Sequence, residues 1–290
     1  MYVKKAVILA GGMGTRFLPI TKSMPKEMLP LLDKPVIHFV VQEAIKSGID
    51  DILIVTGRGK RAVEDYFDDS PELEMHLKKH DKEESVKMIK EVSSLANIHY
   101  IRQKEPMGLA DAVLKAEKHI SNQPFALLLG DDIIHGEKPC TKQLIDIYNK
   151  YQCSILAVQK VPMEIINRYG AIKGKKIEEE LYMVEDIIEK PSIDNAPSNI
   201  ASIGRYVFTP EIFDCIKKTK FGVNKELQIT DAIKILMKSQ NVYASGFKGH
   251  RYDTGNRIGY IKAFIDFSLK NHDIKNDVLN YINEISHQNY

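Results

Sequence analysis

The stretch "VILAGGMGTRFLPITKSMPKEMLP", residues 7–30, carries a short apolar run into a glycine cluster, then Arg16 and, between prolines, Lys22 and Lys26. Apolar residues followed at once by glycines read as a buried strand opening into a loop whose backbone can approach a ligand, because no Cβ intervenes. Two familiar phosphate fingerprints fail. A GxxxxGK[ST] loop needs Gly-Lys where this chain has Arg16-Phe17, and GxGxxG counted from Gly12 fails at Phe17. That failure removes the pattern a dinucleotide-dependent oxidoreductase requires. A plain tight turn would use the glycines but has no use for three nearby cations, so the loop reads as an anion cradle of a third kind.

Working outward, βα alternation follows. Apolar, β-branched runs at Ala6–Leu9, Ile52–Val55, Ile98–Ile101, Phe125–Leu129 and Ile155–Val161 alternate with helical patterns. This is the signature of an α/β fold with a mainly parallel, mixed sheet flanked by helices. Val36, Ile37, Val40, Val41, Ala44 and Ile45 recur at helical spacing, with Pro35 at the start and Gly48 past the end. Arg61–Phe67, Leu109–His119 and Thr141–Lys150 read as further helices. Residues 68–96, with "KKHDKEESVKMIKE", read as a two-helix insertion whose charges form a solvated face, a subunit contact being the alternative. Beyond residue 161, short strands are expected around Ala171, Val184 and Ile203–Phe208. Helices are expected at Pro210–Lys218, Ile229–Met237 and Ile258–Leu269. The whole chain, 1–290, reads as one domain with halves at about 1–160 and 161–270 sharing a cleft, and 271–290 as a tail.

Composition limits the partners. Lys plus Arg (41) and Asp plus Glu (39) nearly cancel in 290 residues, so no global field draws the chain to nucleic acid or an anionic membrane. The apolar run Ala6–Ala10 is too short for a signal-peptide core, and no run is long enough to span a bilayer. Cys140, Cys153 and Cys215 are widely spaced, against a zinc site or disulfide framework and in keeping with a cytoplasmic location.

In open α/β sheets ligands bind beyond the carboxyl ends of the strands. At those ends stand "RQKEPMGLADAV" with Gln103 and Gly108, "LLLGDD" with Asp131 and Asp132, "DIIEKP" with Glu189 and Lys190, and "GHRYDTG" with Asp253. A carboxylate at the tip of a buried strand needs a cation or a metal. Mg2+ takes one or two carboxylates and completes its shell with water and phosphate oxygens, so Asp131 and Asp253 are candidates. "GDD" alone fits a helix cap or turn as well. Gln103 reads alternatively as a solvated side chain, and Glu189-Lys190 as an exposed charged pair. His38, on an otherwise apolar helix, reads as a packed histidine, and Tyr206 and Phe208 as core.

Together these motifs, with "GTRFLP", "MPKEMLPLLDKP", "GRYVFTPEIFD" and "LQITDAI" in order, resemble the sugar-1-phosphate nucleotidyltransferases over about Lys5–Leu269. Within that family the insertion at 68–96 is similar to the uridylyltransferase branch, which acts on UTP and glucose 1-phosphate. The resemblance implies a Rossmann-like nucleotidyltransferase fold, a place in carbohydrate metabolism and a homo-oligomer, dimer or tetramer. It also implies that Ala10, Gly11, Gly12, Gly14 and Thr15 wrap the nucleotide, with Arg16 and Lys26 against its phosphates and Gln103 and Gly108 reading the base. Asp131 and Asp253 would hold Mg2+, Gly170 and Glu189 would contact the sugar, and Lys190 would meet its phosphate. Two departures, "LAGG" at residues 9–12 and Thr254 in "YDTG", resemble the thymidylyltransferase branch, the alternative activity. A non-catalytic regulatory relative would be expected to lack a metal carboxylate or the sugar-phosphate lysine, and candidates for all are present.

Overall fold

The computed structural model describes residues 2–287. In chain order the strands are β1 (Lys5–Ala10), β2 (Pro30–Leu31), β3 (Lys34–Pro35), β4 (Asp51–Thr56), β5 (Asn97–Arg102), β6 (Phe125–Leu129) and β7 (Asp132–His135). They continue as β8 (Ser154–Lys160), β9 (Gly170–Glu178), β10 (Leu181–Glu189), β11 (Ile200–Phe208), β12 (Val242–Ser245) and β13 (His250–Asp253). A nine-stranded sheet runs β5-β4-β1-β6-β11-β8-β12-β10-β9, with β7 and β13 pairing beside it.

The first half is parallel: β1 lies between β4 and β6, and β4 pairs β5. Alternation along β1 explains why its whole run is apolar. Val7 joins Leu53 and Leu127 in one core, while Ala6 and Ile8 join Ile52, Ile54 and Leu128 in the other. Helices Val36–Lys46 and Cys140–Tyr151 close the second core; Ile212–Lys218 and Ile229–Leu236 close the first. In the second half β11 enters antiparallel between β6 and β8, and β9 and β10 form an antiparallel pair. The carboxyl ends of β1, β4 and β6 therefore meet the start of β11 at one edge.

Most expected elements stand where the periodicity puts them, with some differences. The strands of the second half are longer than expected, nine residues each for β9, β10 and β11. Leu109–His119 breaks into helices Leu109–Leu114 and Glu117–Ile120. The insertion is two helices, Pro71–Lys79 and Glu83–Ser93, anchored through Val86 with its charged face in solvent. Residues 271–290, read as a tail, carry helix Lys275–Ser286, and 288–290 lie outside the described residues. His38 is a packed histidine, its Nδ1 3.0 Å from the Tyr66 hydroxyl.

Candidate active site

The loop after β1 is followed by three short 3-10 turns, Thr15–Phe17, Ile20–Lys22 and Lys26–Met28. The chain does not pass from this loop straight into an α-helix, as it does in the common phosphate loops, and the side-chain cations Arg16 and Lys26 stand there instead. Gly14 has φ 68°, the left-handed region that favours glycine. At Gly12 a Cβ would stand 3.1 Å from Lys26 Nζ, so the missing side chain lets Lys26 lie across the loop. Lys26 in turn pairs with Asp131 Oδ2. Burial is the largest influence on Lys26 and opposes its charge, yet Asp131, Glu27 and Asp253 outweigh it and raise its pKa. Burial likewise opposes ionisation of Asp131, and Lys26 outweighs that, so its pKa is lowered. The pair is charged at neutral pH. Beneath it Glu27 is buried against Lys60, 2.7 Å away.

Asp131 sits on a rigid turn. Arg205, fully buried, forks onto Glu43 (Nε to Oε2 3.0 Å, Nη2 to Oε2 2.8 Å) and donates to the carbonyls of Leu129 and Asp132, on either side of Gly130-Asp131. Thr254 closes the turn from the other half, its Oγ1 donating to the Asp131 carbonyl at 2.7 Å. A small apolar residue there would lose that bond, which gives the threonine a structural purpose independent of nucleotide choice. Asp253 Oδ1 accepts from the Gly255 amide at 3.0 Å. A Cβ on Gly255 would fall 2.5 Å from Asp131 Oδ2 and 3.1 Å from Asp253 Oδ1. Two carboxylates thus converge on one small space that glycine leaves open, a donor set suited to a hard divalent cation. Asp132 takes no part: Arg251 grips it, Nε to Oδ1 at 2.9 Å and Nη2 to Oδ2 at 2.7 Å.

Gln103, buried at the end of β5, donates its amide hydrogens to Asp111 Oδ2 (2.8 Å) and the Gly108 carbonyl (3.2 Å). Its Oε1 is left toward the loop, 3.4 Å from where a Cβ on Gly11 would stand. Gly108 has φ 116°, and a Cβ there would strike Leu227 O at 2.6 Å. The close crossing of the Leu227 backbone therefore requires glycine at this position. At the opposite wall Gly170 and Glu189 are paired across β9 and β10. Glu189 Oε2 accepts from Thr230 Oγ1 at 3.2 Å, and Lys190 Nζ lies 3.4 Å from Glu189 Oε1. Lys190 holds φ 43°, a left-handed conformation costly for a residue with a Cβ and typical of functional turns.

One cleft of about 460 Å³ gathers Gly11, Gly12, Arg16, Lys26, Gln103, Gly108, Asp131, Gly170, Glu189, Lys190 and Asp253. Ala10, Gly14, Thr15 and Lys22 do not line it; Ala10 is wholly buried in β1, and Gly14 and Thr15 shape the turn. Sequence reasoning passed over Arg251, Arg168, Tyr169, Ser202, Gln228 and Thr230, which also line it. Arg251 lay inside the quoted "GHRYDTG" and Gln228 and Thr230 inside "LQITDAI", and Lys60 follows β4, a strand end left unread; Arg168, Tyr169 and Ser202 carry no local signal.

A cleft at the carboxyl edge of an α/β sheet, cationic at a glycine loop and carrying two converging carboxylates, defines a class that transfers phosphate-bearing groups. The chain belongs to the nucleotidyl transferase family, whose sequence profile matches residues 5–270. It is 49% identical over 280 residues to the UTP–glucose-1-phosphate uridylyltransferase of Bacillus subtilis (strain 168), covering 97% of this chain and 96% of that one. It is 49% identical over 286 residues to the enzyme of that name from Streptococcus pyogenes, covering 97% and 93%. A solved UDP-glucose pyrophosphorylase complexed with UDP-glucose superposes with TM-score 0.85 at 45% identity, covering 93% of this chain and all of that one. UTP-bound UGPase from Acinetobacter baumannii gives TM-score 0.88 at 34% identity, covering 97% and 99%.

Proposed function

We propose that this chain transfers the uridylyl group of UTP to glucose 1-phosphate, giving UDP-glucose and pyrophosphate. The observation that carries the reading is the one cleft lined together by Arg16 and Lys26 of the glycine loop, by Asp131 and Asp253, and by Glu189 and Lys190. The names of the relatives favour UTP over dTTP, and the structural use of Thr254 removes one of the two signs that pointed the other way.

The sugar phosphate needs no dedicated base. A phosphate monoester with a second pKa of about 6 is mostly dianionic at neutral pH, so its oxygen attacks the α-phosphorus in line and pyrophosphate leaves. The protein's task is to hold two anions against their repulsion and to neutralise charge on the group in flight. Arg16 and Lys26 neutralise the triphosphate, while Lys190 fixes the attacking phosphate. Lys26, already charged on Asp131, needs only a small movement to exchange a carboxylate for a phosphate oxygen. Glu189 and the Gly170 backbone face the sugar hydroxyls, and Gln103 Oε1 accepts from the base. Asp131 and Asp253 suit Mg2+, which when bound supplies positive charge to the phosphate oxygens and is worth several kcal/mol. We read the protein as cytoplasmic and homo-oligomeric; no described helix is long and apolar enough to cross a membrane. Incubation with UTP, glucose 1-phosphate and Mg2+ should give UDP-glucose and pyrophosphate in equal amounts by chromatography and mass spectrometry. Absence of UDP-glucose would overturn the reading.

A further inference from the structure

We propose that Asp51, His99 and His119 form a second metal site, for a divalent transition ion of borderline softness with Zn2+ foremost, at the end of the sheet away from the cleft. Among the described residues these three side chains each offer one ligand atom, all within 4.8 Å of one another. The register brings them together. Asp51 opens β4, and the parallel pairing sets Leu53 opposite His99, so Asp51 and His99 share a face two residues apart along the ladder. Helix Glu117–Ile120 covers that face and delivers His119, whose Nε2 lies 2.7 Å from Asp51 Oδ1. His99 Nε2 lies 3.9 Å from the same oxygen, and the two imidazole rings are 4.9 Å apart between centroids.

The two carboxylate oxygens of Asp51 have separate duties. Oδ2 faces Lys5 Nζ at 3.3 Å, and the same ammonium donates to the His119 carbonyl at 2.6 Å. Lys5 therefore fixes the carboxylate and the helix that bears His119, leaving Oδ1 toward both imidazoles; its charge also limits how tightly a cation is held. An ordinary hydrogen-bonded Asp–His pair would account for His119 but not for the second imidazole, too far out to bond Asp51 yet close enough to share an ion with it. All three side chains are partly exposed, at 27%, 46% and 22%, so an ion can enter and water can complete a tetrahedron. Two imidazoles and one carboxylate favour Zn2+, Ni2+ or Cu2+ over Mg2+. The site is distinct from the carboxylate pair at Asp131, since Asp51 begins a six-residue strand whose far end, roughly 17 Å away at 3.3 Å per residue, pairs with Ala10 just before the glycine loop.

The test is calorimetric titration of the full chain with ZnCl2 in Mg2+-containing buffer. His76 and His80, with ring centroids 4.6 Å apart on helix Pro71–Lys79, offer a rival two-imidazole site, so all variants carry His76→Ala and His80→Ala. That background should bind one Zn2+ per chain, and Co2+ in its place should give a visible absorption band. Adding His99→Ala or His119→Ala should weaken Zn2+ by at least about tenfold, the low end of what even an outer partner of a metal ligand is worth, and abolish the band. Circular dichroism checks that each variant is folded. No Zn2+ uptake in the background, or uptake unchanged by either substitution, overturns the proposal.

Discussion

Replacing Gln103 by alanine isolates the base-reading end of the cleft. Both amide hydrogens of Gln103 are engaged inside the protein, so Oε1 alone is left to meet a ligand. An acceptor there pairs with the N3–H of uracil, whereas cytosine presents an acceptor at that ring position and would be repelled. A buried hydrogen bond contributes about 1–1.5 kcal/mol, so its loss should lower the preference for UTP over CTP by roughly tenfold. The fold should survive, because Asp111 keeps Lys115 Nζ at 2.7 Å after its bond from Gln103 is gone. The assay is kcat/KM for UTP and for CTP at saturating glucose 1-phosphate, in wild type and Gln103→Ala. A companion, Gln103→Glu, keeps an acceptor but sets a second carboxylate beside Asp111 and should bind UTP more weakly still. An unchanged UTP to CTP ratio in Gln103→Ala would refute the assignment of Oε1 to the base.

Asp131→Asn and Asp253→Asn remove charge at constant volume, and each should cut turnover by about a thousandfold or more, as loss of a metal-holding carboxylate implies; more than about a tenth of wild-type turnover at saturating Mg2+ would exclude that residue as a ligand. Asp132→Asn behaves differently, since it leaves part-buried Arg251 without its counter-charge and should unfold the protein at lower denaturant. Lys190→Met keeps the stem and the same left-handed backbone, so stability should hold while the KM for glucose 1-phosphate rises and kcat falls. Collapse of UTP affinity measured without sugar phosphate would instead assign Lys190 to the nucleotide. Burial, aided by Lys34, lowers the His38 pKa from 6.5 to about 4, so the unfolded chain binds the extra proton between those values. Stability from this residue is full above pH 6.5 and lost as pH falls to about 4, a change of ~3 kcal/mol at most. Urea midpoints at pH 7 and 4.5 should converge in His38→Gln, and an unaltered difference would contradict the linkage.

The parallel half was legible because β1, β4 and β6 are near-continuous apolar runs covered on both faces, edge strand β5 keeps a shorter one, and helix Val36–Lys46 has a clear period. Strands β7 and β13 were not: each is four residues long and their pairing spans more than a hundred positions, beyond any local period. Missing that pairing also hid Arg251, whose hold on Asp132 exists only in that register. Asp131 and Asp253 were legible as carboxylates in glycine-flanked turns, but their convergence depends on Gly255 and on the Thr254 bond across the two halves. The need for glycine at position 108 was not legible, since the backbone that takes its Cβ space, Leu227, comes from a segment more than a hundred residues later. Arg205 stood inside the quoted "GRYVFTPEIFD" without being singled out, because a guanidinium wholly buried in a core strand is indistinguishable in sequence from a solvated one.

The central claim, a uridylyl transfer in a cleft built for UTP and glucose 1-phosphate, is tested most directly by pyrophosphate release with UTP, dTTP, ATP and GTP. Each nucleotide is offered with glucose 1-phosphate and Mg2+ under identical conditions. The account predicts the highest kcat/KM with UTP, lower turnover with dTTP and the least with the two purine nucleotides. A higher kcat/KM with dTTP would assign the chain to the thymidylyl activity, and turnover with ATP or GTP matching UTP would contradict base recognition through Gln103.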